Sequence, residues 1–540
     1  MSLSSLPLEL LTAFANEVPR LEDRKSLRLT CKLLGEVLKP HVLSSVTLSI
    51  HGHNLHSGLY LLDALVEEKD AMPKGSSAMF SGLSKHIKTL YIDSLCPGYY
   101  PESELDFRRK QDTFWTLSDA EGQVRSWLKI EPPSSEGEEL QLLLKPALES
   151  LNNLTAIHWR WQFRDPEWTL NTIFECLESD EFLQKLEEFD FCYHPSPVHE
   201  PLRIPNIRQV RRLSISGHLC KPDVPRLFQH PILSNNPRLT TLGVCKDLFF
   251  RNDVPLDQSI PDTVTDLRLN GLKFAGLEHI VNGNLTSLDL GNSIMVNNSW
   301  ASLWEILSSQ HICLRKLALG HFSKSRDMRQ LLRYLLSYSG LESFSLPCIQ
   351  SDEDDNSDAM IFYTSVLPQH AESLVNLELK PLFESGWCVS ASNIYVFRQC
   401  KRMRTLSIKM MHRGLSRDKD PRCSLLREFY DDQNRPDDAN AVHHLLEKIP
   451  LYMPNLEKLT LEPAQSFAFL NERSDSGLEA QFYFGIQRRL RRSVRTFPCY
   501  YESCEVLKWV RIYVSNKRIK VALETRDDRG VEETSQKGSG

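Results

Sequence analysis

Four stretches of the 540-residue chain carry residue types that could do chemistry. Three histidines, His51, His53 and His56, lie together in SIHGHNLHS, where imidazoles could ligate a transition metal. No cysteine or carboxylate cluster completes a coordination shell beside them, so the stretch reads as a solvated loop. The acidic run SDEDDNSD, Ser351 to Asp358, offers carboxylates to a hard cation but lacks the glycine and closing glutamate of a calcium loop. It too reads as solvated. Cys499 and Cys504 have no matching pair and read as buried structural thiols. The basic run QRRLRRSVR, Gln487 to Arg495, suits an acidic partner or a nuclear-localisation signal, or is simply the outer face of a terminal helix. A phosphate-cradling glycine loop, a nucleophile elbow and a catalytic Cys/His signature are all missing. The reading is therefore a non-catalytic chain with no metal and no cofactor.

The elements that position these residues follow from composition and periodicity. With 41% hydrophobic and 25% charged residues the sequence reads as globular, and its formal net charge of -6 lacks the basic footprint of nucleic-acid binding. No window approaches the apolar length of a membrane span, and Glu9, Glu17 and Arg20 interrupt any leader-like start. Thirteen scattered cysteines without a CxxC pair fit a reducing compartment, cytoplasm or nucleus. The sequons at Asn153, Asn284 and Asn297 are then incidental.

From residue 40 onward one pattern recurs: apolar, two spacers, apolar, one spacer, apolar. Clear copies are Val264-Thr-Asp-Leu267-Arg-Leu269, Leu285-Thr-Ser-Leu288-Asp-Leu290, Leu341-Glu-Ser-Phe344-Ser-Leu346, Leu374-Val-Asn-Leu377-Glu-Leu379, Met403-Arg-Thr-Leu406-Ser-Ile408 and Leu456-Glu-Lys-Leu459-Thr-Leu461. Others centre on Val46, Leu90, Ile157, Phe189, Leu213, Leu242 and Leu317. From Phe189 to Leu406 successive centres advance by 21 to 33 positions. Between them lie helix-period runs such as Trp300, Leu303, Trp304 and Leu307, or Met328, Leu331, Leu332 and Leu335 ending at Gly340. Val442, Leu445, Leu446 and Ile449 repeat this before Pro450. Each unit is thus read as a strand plus a helix, and only stacking buries its apolar side.

This array resembles the leucine-rich repeat family in its longer, helix-containing form. The resemblance implies an α/β horseshoe solenoid with a curved parallel sheet. The asparagine usual after the third leucine is mostly missing, Asn292 falling one residue early. Residues 46–463 form the array, with insertions near 97–150, where Glu131 to Glu139 is a polar loop, and near 410–440, where Tyr430 to Asn440 is acidic and turn-rich. Residues 464–524 close its end, VLKWVRIYV (Val506 to Val514) being an alternating strand, and 525–540 form a disordered tail. Residues between the buried apolars then line the concave face: Tyr91, Asp93, His158, Arg160, Asp190, Arg268, Asp289, Glu378 and Lys380. Their mixed charge suits a protein target.

Residues 1–45 begin with two short amphipathic helices. Leu6-Pro7 followed by Glu9-Leu10-Leu11, with Phe14 and Val18 continuing the apolar side, resembles the opening of an F-box. Ser26 to Lys32, and Pro40 with Leu43, resemble its second helix and its close, while Thr12 to Ala15 and Pro19 depart from the pattern. The resemblance implies docking on a Skp-type adaptor, and through it a cullin, with Pro7 starting the helix and Leu6, Leu10, Leu11, Leu27 and Leu29 as anchors. The expected function is a substrate-recognition subunit of a ubiquitin ligase. The alternative is a repeat scaffold unconnected to ubiquitin, whose first helices only cap the solenoid.

Overall fold

In the computed structural model the apolar triplets become strands. The structure describes residues 6–18, 20–70, 82–97, 135–162, 164–179, 185–194, 202–217, 219, 223–229, 231–246, 260–274, 281–295, 300–322, 325–349, 356–390, 393–411, 440–465, 476–497, 507, 510–515 and 517–519. The Tyr430 to Ala439 part of the acidic excursion, Cys499, Cys504, Asn297, Pro19 and the tail lie outside the described residues. The fold is α/β, and the chain divides into two compact units, Met1–Lys273 and Phe274–Gly540.

The first unit opens with three helices, not two: α1 (Leu8–Glu17), α2 (Leu21–Arg28) and α3 (Lys32–Leu43). The expected second helix breaks at Thr30, so Ser26 and Lys32 belong to different helices, and Pro40 lies inside α3. Seven strands follow: β1 (Ser45–Leu48), β2 (Thr89–Ile92), β3 (Ala156–Trp161), β4 (Glu188–Tyr193), β5 (Arg212–Gly217), β6 (Thr241–Lys246) and β7 (Asp266–Asn270). Each pairs with the next in parallel, and the register sets Val46, Leu90, Ile157, Phe189, Leu213, Leu242 and Leu267 in one row across the sheet. Outside that row is a second of Leu48, Ile92, Trp159, Phe191, Ile215, Val244 and Leu269, all buried. Alternation forces this result: with side chains pointing to opposite faces, the spacer between the second and third apolars must face the other way.

Helices cover the apolar side. α4 (Leu55–Asp70), α5 (Ser135–Glu149) and α6 (Glu167–Glu178) pack in succession, and Trp159 meets Phe174 of α6 edge-on at 5.6 Å. Of the expected polar loop at Glu131 to Glu139, the part from Ser135 onward is corrected, since α5 starts at Ser135, and residues 131–134 lie outside the described residues. Its Leu140, Leu144, Ala147 and Leu148 are buried at helical spacing, and Glu136 and Glu138 sit in the first turn, where the helix dipole favours negative charge. The strand-plus-helix unit has an exception between β4 and β5. There the described part of the connection, Leu202 to Val210, has no helix and buries Leu202, Ile204, Ile207 and Val210 from an extended chain.

The second unit repeats the scheme with β8 (Ser287–Gly291), β9 (Lys316–Leu319), β10 (Ser343–Ile349), β11 (Asn376–Pro381), β12 (Thr405–Met410), β13 (Lys458–Pro463) and β14 (Arg511–Val514), again parallel. Its row runs Leu288, Leu317, Phe344, Leu377, Leu406, Leu459 and Ile512. The closing segment is therefore one more parallel copy, followed by an antiparallel edge strand, β15 (Lys517–Ile519). Of its helices, α7 (Ala301–Ser309) and α8 (Ser325–Leu336) carry the expected runs, α9 (Ala441–Tyr452) continues through Pro450, and α10 (Ser476–Arg495) packs on β13 and β14. Proline near a helix end forfeits an amide bond in a turn that is already fraying, which is why Pro450 and Pro40 are tolerated.

Buried polar side chains, rather than a repeated asparagine, tie the connections down. Asn236 accepts from the Val210 amide at 2.8 Å and donates to the Ile207 carbonyl at 2.8 Å. Asp223 accepts from the Leu202 amide at 2.9 Å. His370 accepts from the Leu341 amide at 3.2 Å while its other nitrogen meets the Leu335 carbonyl at 2.9 Å. Burial holds its pKa below the ordinary imidazole value, against the bond to Leu335, which raises it. Gly217 closes β5 at φ +110°, where an added Cβ would lie 2.1 Å from the Tyr193 carbonyl oxygen.

Candidate functional site

The N-terminal helices sort their leucines by face. Pro7 is exposed and its carbonyl accepts from the Leu10 and Leu11 amides at 3.1 Å each, starting α1. Leu11 and Ala15 turn inward on Leu34, Val37, Leu38 and Val42, with Leu6, Leu27 and Cys31 half-buried at the edge. Leu11 is therefore a core residue of this segment, not an anchor on its outer face. Leu10 is 55% exposed and Leu29 83%, and Phe14, Leu21 and Leu33 are exposed as well. The Arg24 Nε donates to the Val18 carbonyl at 2.7 Å, clasping α2 to the end of α1. Both helices pack on α3, and α3 packs on β1.

On the face of the first unit opposite its described helices, β2, β3 and β4 bring five of the nine expected face residues into one patch. Tyr91 and His158 are register partners whose rings stack at 4.7 Å and 12°. His158 Nδ1 lies 3.5 Å from Asp190 and its Nε2 3.9 Å from Glu188. Arg160 reaches Asp93 at 4.0 Å, as does His51 at 3.9 Å. These are long, partly solvated pairs, which leave hydrogen-bonding capacity to a ligand. His51 is itself buried, which corrects its reading as part of a solvated loop, whereas His53 and His56 are exposed.

Asp165, which sequence reasoning passed over, positions this patch. Its carboxylate accepts from the Ser94 hydroxyl, the Leu95 amide and the Gln162 amide, each at 2.8 Å, so it fixes the backbone directly after Asp93 and after β3. Burial pushes its pKa up to about 7, against these three donors, which favour the charged form. The available signal was Asp-Pro-Glu at a helix start.

The other four candidates make contacts of their own. Arg268, on β7, binds the neighbouring Asp266 through two nitrogens. Asp289 accepts from the Gly291 amide at 2.9 Å. In the second unit Lys380 sits between Glu378 at 2.9 Å and Glu462 at 3.0 Å, and the Ser345 hydroxyl donates to Glu378 at 2.6 Å. Burial alone would raise Glu378 and lower Lys380, but these contacts outweigh it and the shifts run the other way.

The remaining sequence candidates also find places. Asp358, at the end of the acidic run, is 1% exposed and pairs with Arg329 at 3.4 Å, so that residue is not part of a solvated loop. Among the described residues no group of three or more His, Cys, Asp or Glu could hold a metal ion, and no helix is long and apolar enough to cross a membrane. No protein-family model matches the sequence, and no curated protein matches it.

Proposed function

We propose that the chain is the substrate-recognition subunit of a Skp/cullin/F-box ubiquitin ligase, with α1 and α2 docking a Skp-type adaptor and a leucine-rich-repeat solenoid selecting a protein target. The observation that carries the reading is the split between inward and outward leucines: a helix pair that merely capped the array would spend Leu10, Phe14, Leu21 and Leu29 on burial, and here they remain exposed on a segment that already has its own core. Exposed apolar side chains around a preformed helical scaffold are what helix-in-groove association uses. Capping of the first strand falls to α3. The target surface is the patch of Tyr91, Asp93, His158, Arg160 and Asp190, where an aromatic platform is flanked by carboxylates and a guanidinium. Transfer chemistry belongs to other subunits, and this chain contributes proximity. Cytoplasm and nucleus both provide the reducing setting that the free thiols need.

The test is co-purification with a Skp-type adaptor. The wild-type chain forms a stable complex and a Leu10→Ala/Leu29→Ala variant does not, while its melting temperature stays unchanged. A wild-type chain that never retains the adaptor supports the scaffold reading instead.

A further inference from the structure

The open face of β4 ends in a thiol and an imidazole at hydrogen-bond distance. Asp190, Cys192 and His194 alternate along the chain, so their side chains share the face opposite the buried Phe191 and Tyr193. His194 follows the last residue of the strand, and its amide donates to the Trp161 carbonyl at 3.0 Å, which extends the ladder with β3 by one bond. Tyr193 stacks on Trp161 at 5.2 Å on the buried side. With the backbone held on both sides of Cys192, its Sγ lies 3.1 Å from His194 Nε2. Both residues are half-buried, which leaves the pair partly open to solvent. Thiols of the second unit give the contrast. Cys388 and Cys400 are buried, and burial pushes their pKa up to about 12, which keeps them protonated and inert. Cys313 is exposed, and its Sγ donates to the His311 carbonyl at 3.7 Å, an acceptor that cannot take its proton.

We propose that Cys192 is a modification site at which His194 serves as the base and a small, carboxylate-bearing disulfide is the reagent. A thiol with a base at hydrogen-bond distance is the arrangement that activates a sulfur nucleophile. In the tautomer with its proton on Nδ1, His194 accepts the Cys192 proton at Nε2. The sulfur then forms a bond to one sulfur of the disulfide, and the other leaves as a thiolate that takes the proton back from His194. The products are a mixed disulfide on Cys192 and one small thiol, so the disulfide is itself the oxidant. The groups around the sulfur select the reagent. Arg160 is the register partner of Cys192 on β3, and its exposed guanidinium reaches Asp93 at 4.0 Å, loosely enough to take a carboxylate of the disulfide. On the other side the register partner is Ser216 of β5, which adds no charge. Asp190, two residues back, is turned to His158 at 3.5 Å. The proposal does not depend on the ubiquitin reading.

The experiment incubates the reduced full-length chain with glutathione disulfide, blocks the remaining thiols with N-ethylmaleimide after denaturation, and reads each cysteine by peptide mass spectrometry. Near neutral pH, Cys192 forms the mixed disulfide about tenfold faster than the more exposed Cys313. A His194→Gln variant slows the reaction at Cys192 about tenfold near pH 7 and matches wild type at about pH 9.5, where thiols ionise without a base. A purely structural role for His194 would change the rate equally at both. Arg160→Gln slows the reaction with glutathione disulfide about threefold and leaves the rate with uncharged 2-hydroxyethyl disulfide as it was. Should His194→Gln melt early, the wild-type comparison with Cys313 and the Arg160→Gln rates decide. A Cys192 no faster than Cys313, a His194→Gln effect undiminished at high pH, or an Arg160→Gln rate equal to wild type with glutathione disulfide overturns the proposal.

Discussion

The two units build the same parallel row of apolar centres, yet their polar faces behave differently. In the second unit Glu378, Lys380, Glu462 and Ser345 close on each other at 2.6 to 3.0 Å. In the first, Asp93, Arg160, His158 and Asp190 stay 3.5 to 4.0 Å apart around an exposed tyrosine. A face that satisfies itself has little left to offer a ligand, and the Tyr91–His158 patch keeps more hydrogen-bonding capacity than the Glu378–Lys380–Glu462 cluster, although the first unit also has closed pairs such as Arg268 with Asp266.

The largest effect should ignore the contrast. Leu406→Ala and Leu213→Ala each remove a fully buried row centre and should each cost about 2–5 kcal/mol in denaturant unfolding. A loss confined to one unit would break the claim that the rows are equivalent. Next, Asp165→Ala should cost about 1–3 kcal/mol by orphaning the Leu95 and Gln162 amides, and should loosen hydrogen exchange around Asp93 and Arg160. Unchanged exchange there would show that Asp165 does not position the patch.

The pH dependence sharpens the comparison because the signs oppose. Asp165 has a raised folded pKa, so its contribution is fully present below the unfolded carboxyl value and is lost as pH rises through about 7. His370 has a lowered one, so its contribution is present above the unfolded imidazole value and lost as pH falls through the folded one. Asp165→Asn should flatten the stability profile of wild type on the neutral side, and His370→Gln on the acidic side. Equal slopes in both variants and wild type would remove these groups from the account.

Much of the row was legible because burial on one sheet face leaves a strict alternation that a sequence cannot hide. Every centre from Leu90 to Leu459 falls where the triplet puts it. Ile512 falls outside the expected row although Trp509, Ile512 and Val514 fit the same skeleton, because an alternating strand after a basic helix at the end of the array reads as a cap. Leu27 and Leu29 looked alike as anchors, but α2 ends at Arg28, so Leu29 leaves the helical period and turns outward while Leu27 stays against the core. His51 and Asp358 were read as solvated from local polarity, and long-range packing decides otherwise. Asp165 needed the loops of two strands brought together before its role could be seen.

The smallest effect on stability carries the central claim. Leu10→Ala/Leu29→Ala should change the unfolding free energy by no more than about 0.5 kcal/mol, since neither side chain is buried. The decisive measurement is the affinity of that variant for a Skp-type adaptor, set beside wild type in one titration. The account predicts a loss of about 2 kcal/mol or more, roughly thirtyfold, with stability intact. An unaltered affinity, or no measurable binding by the wild type, would contradict it.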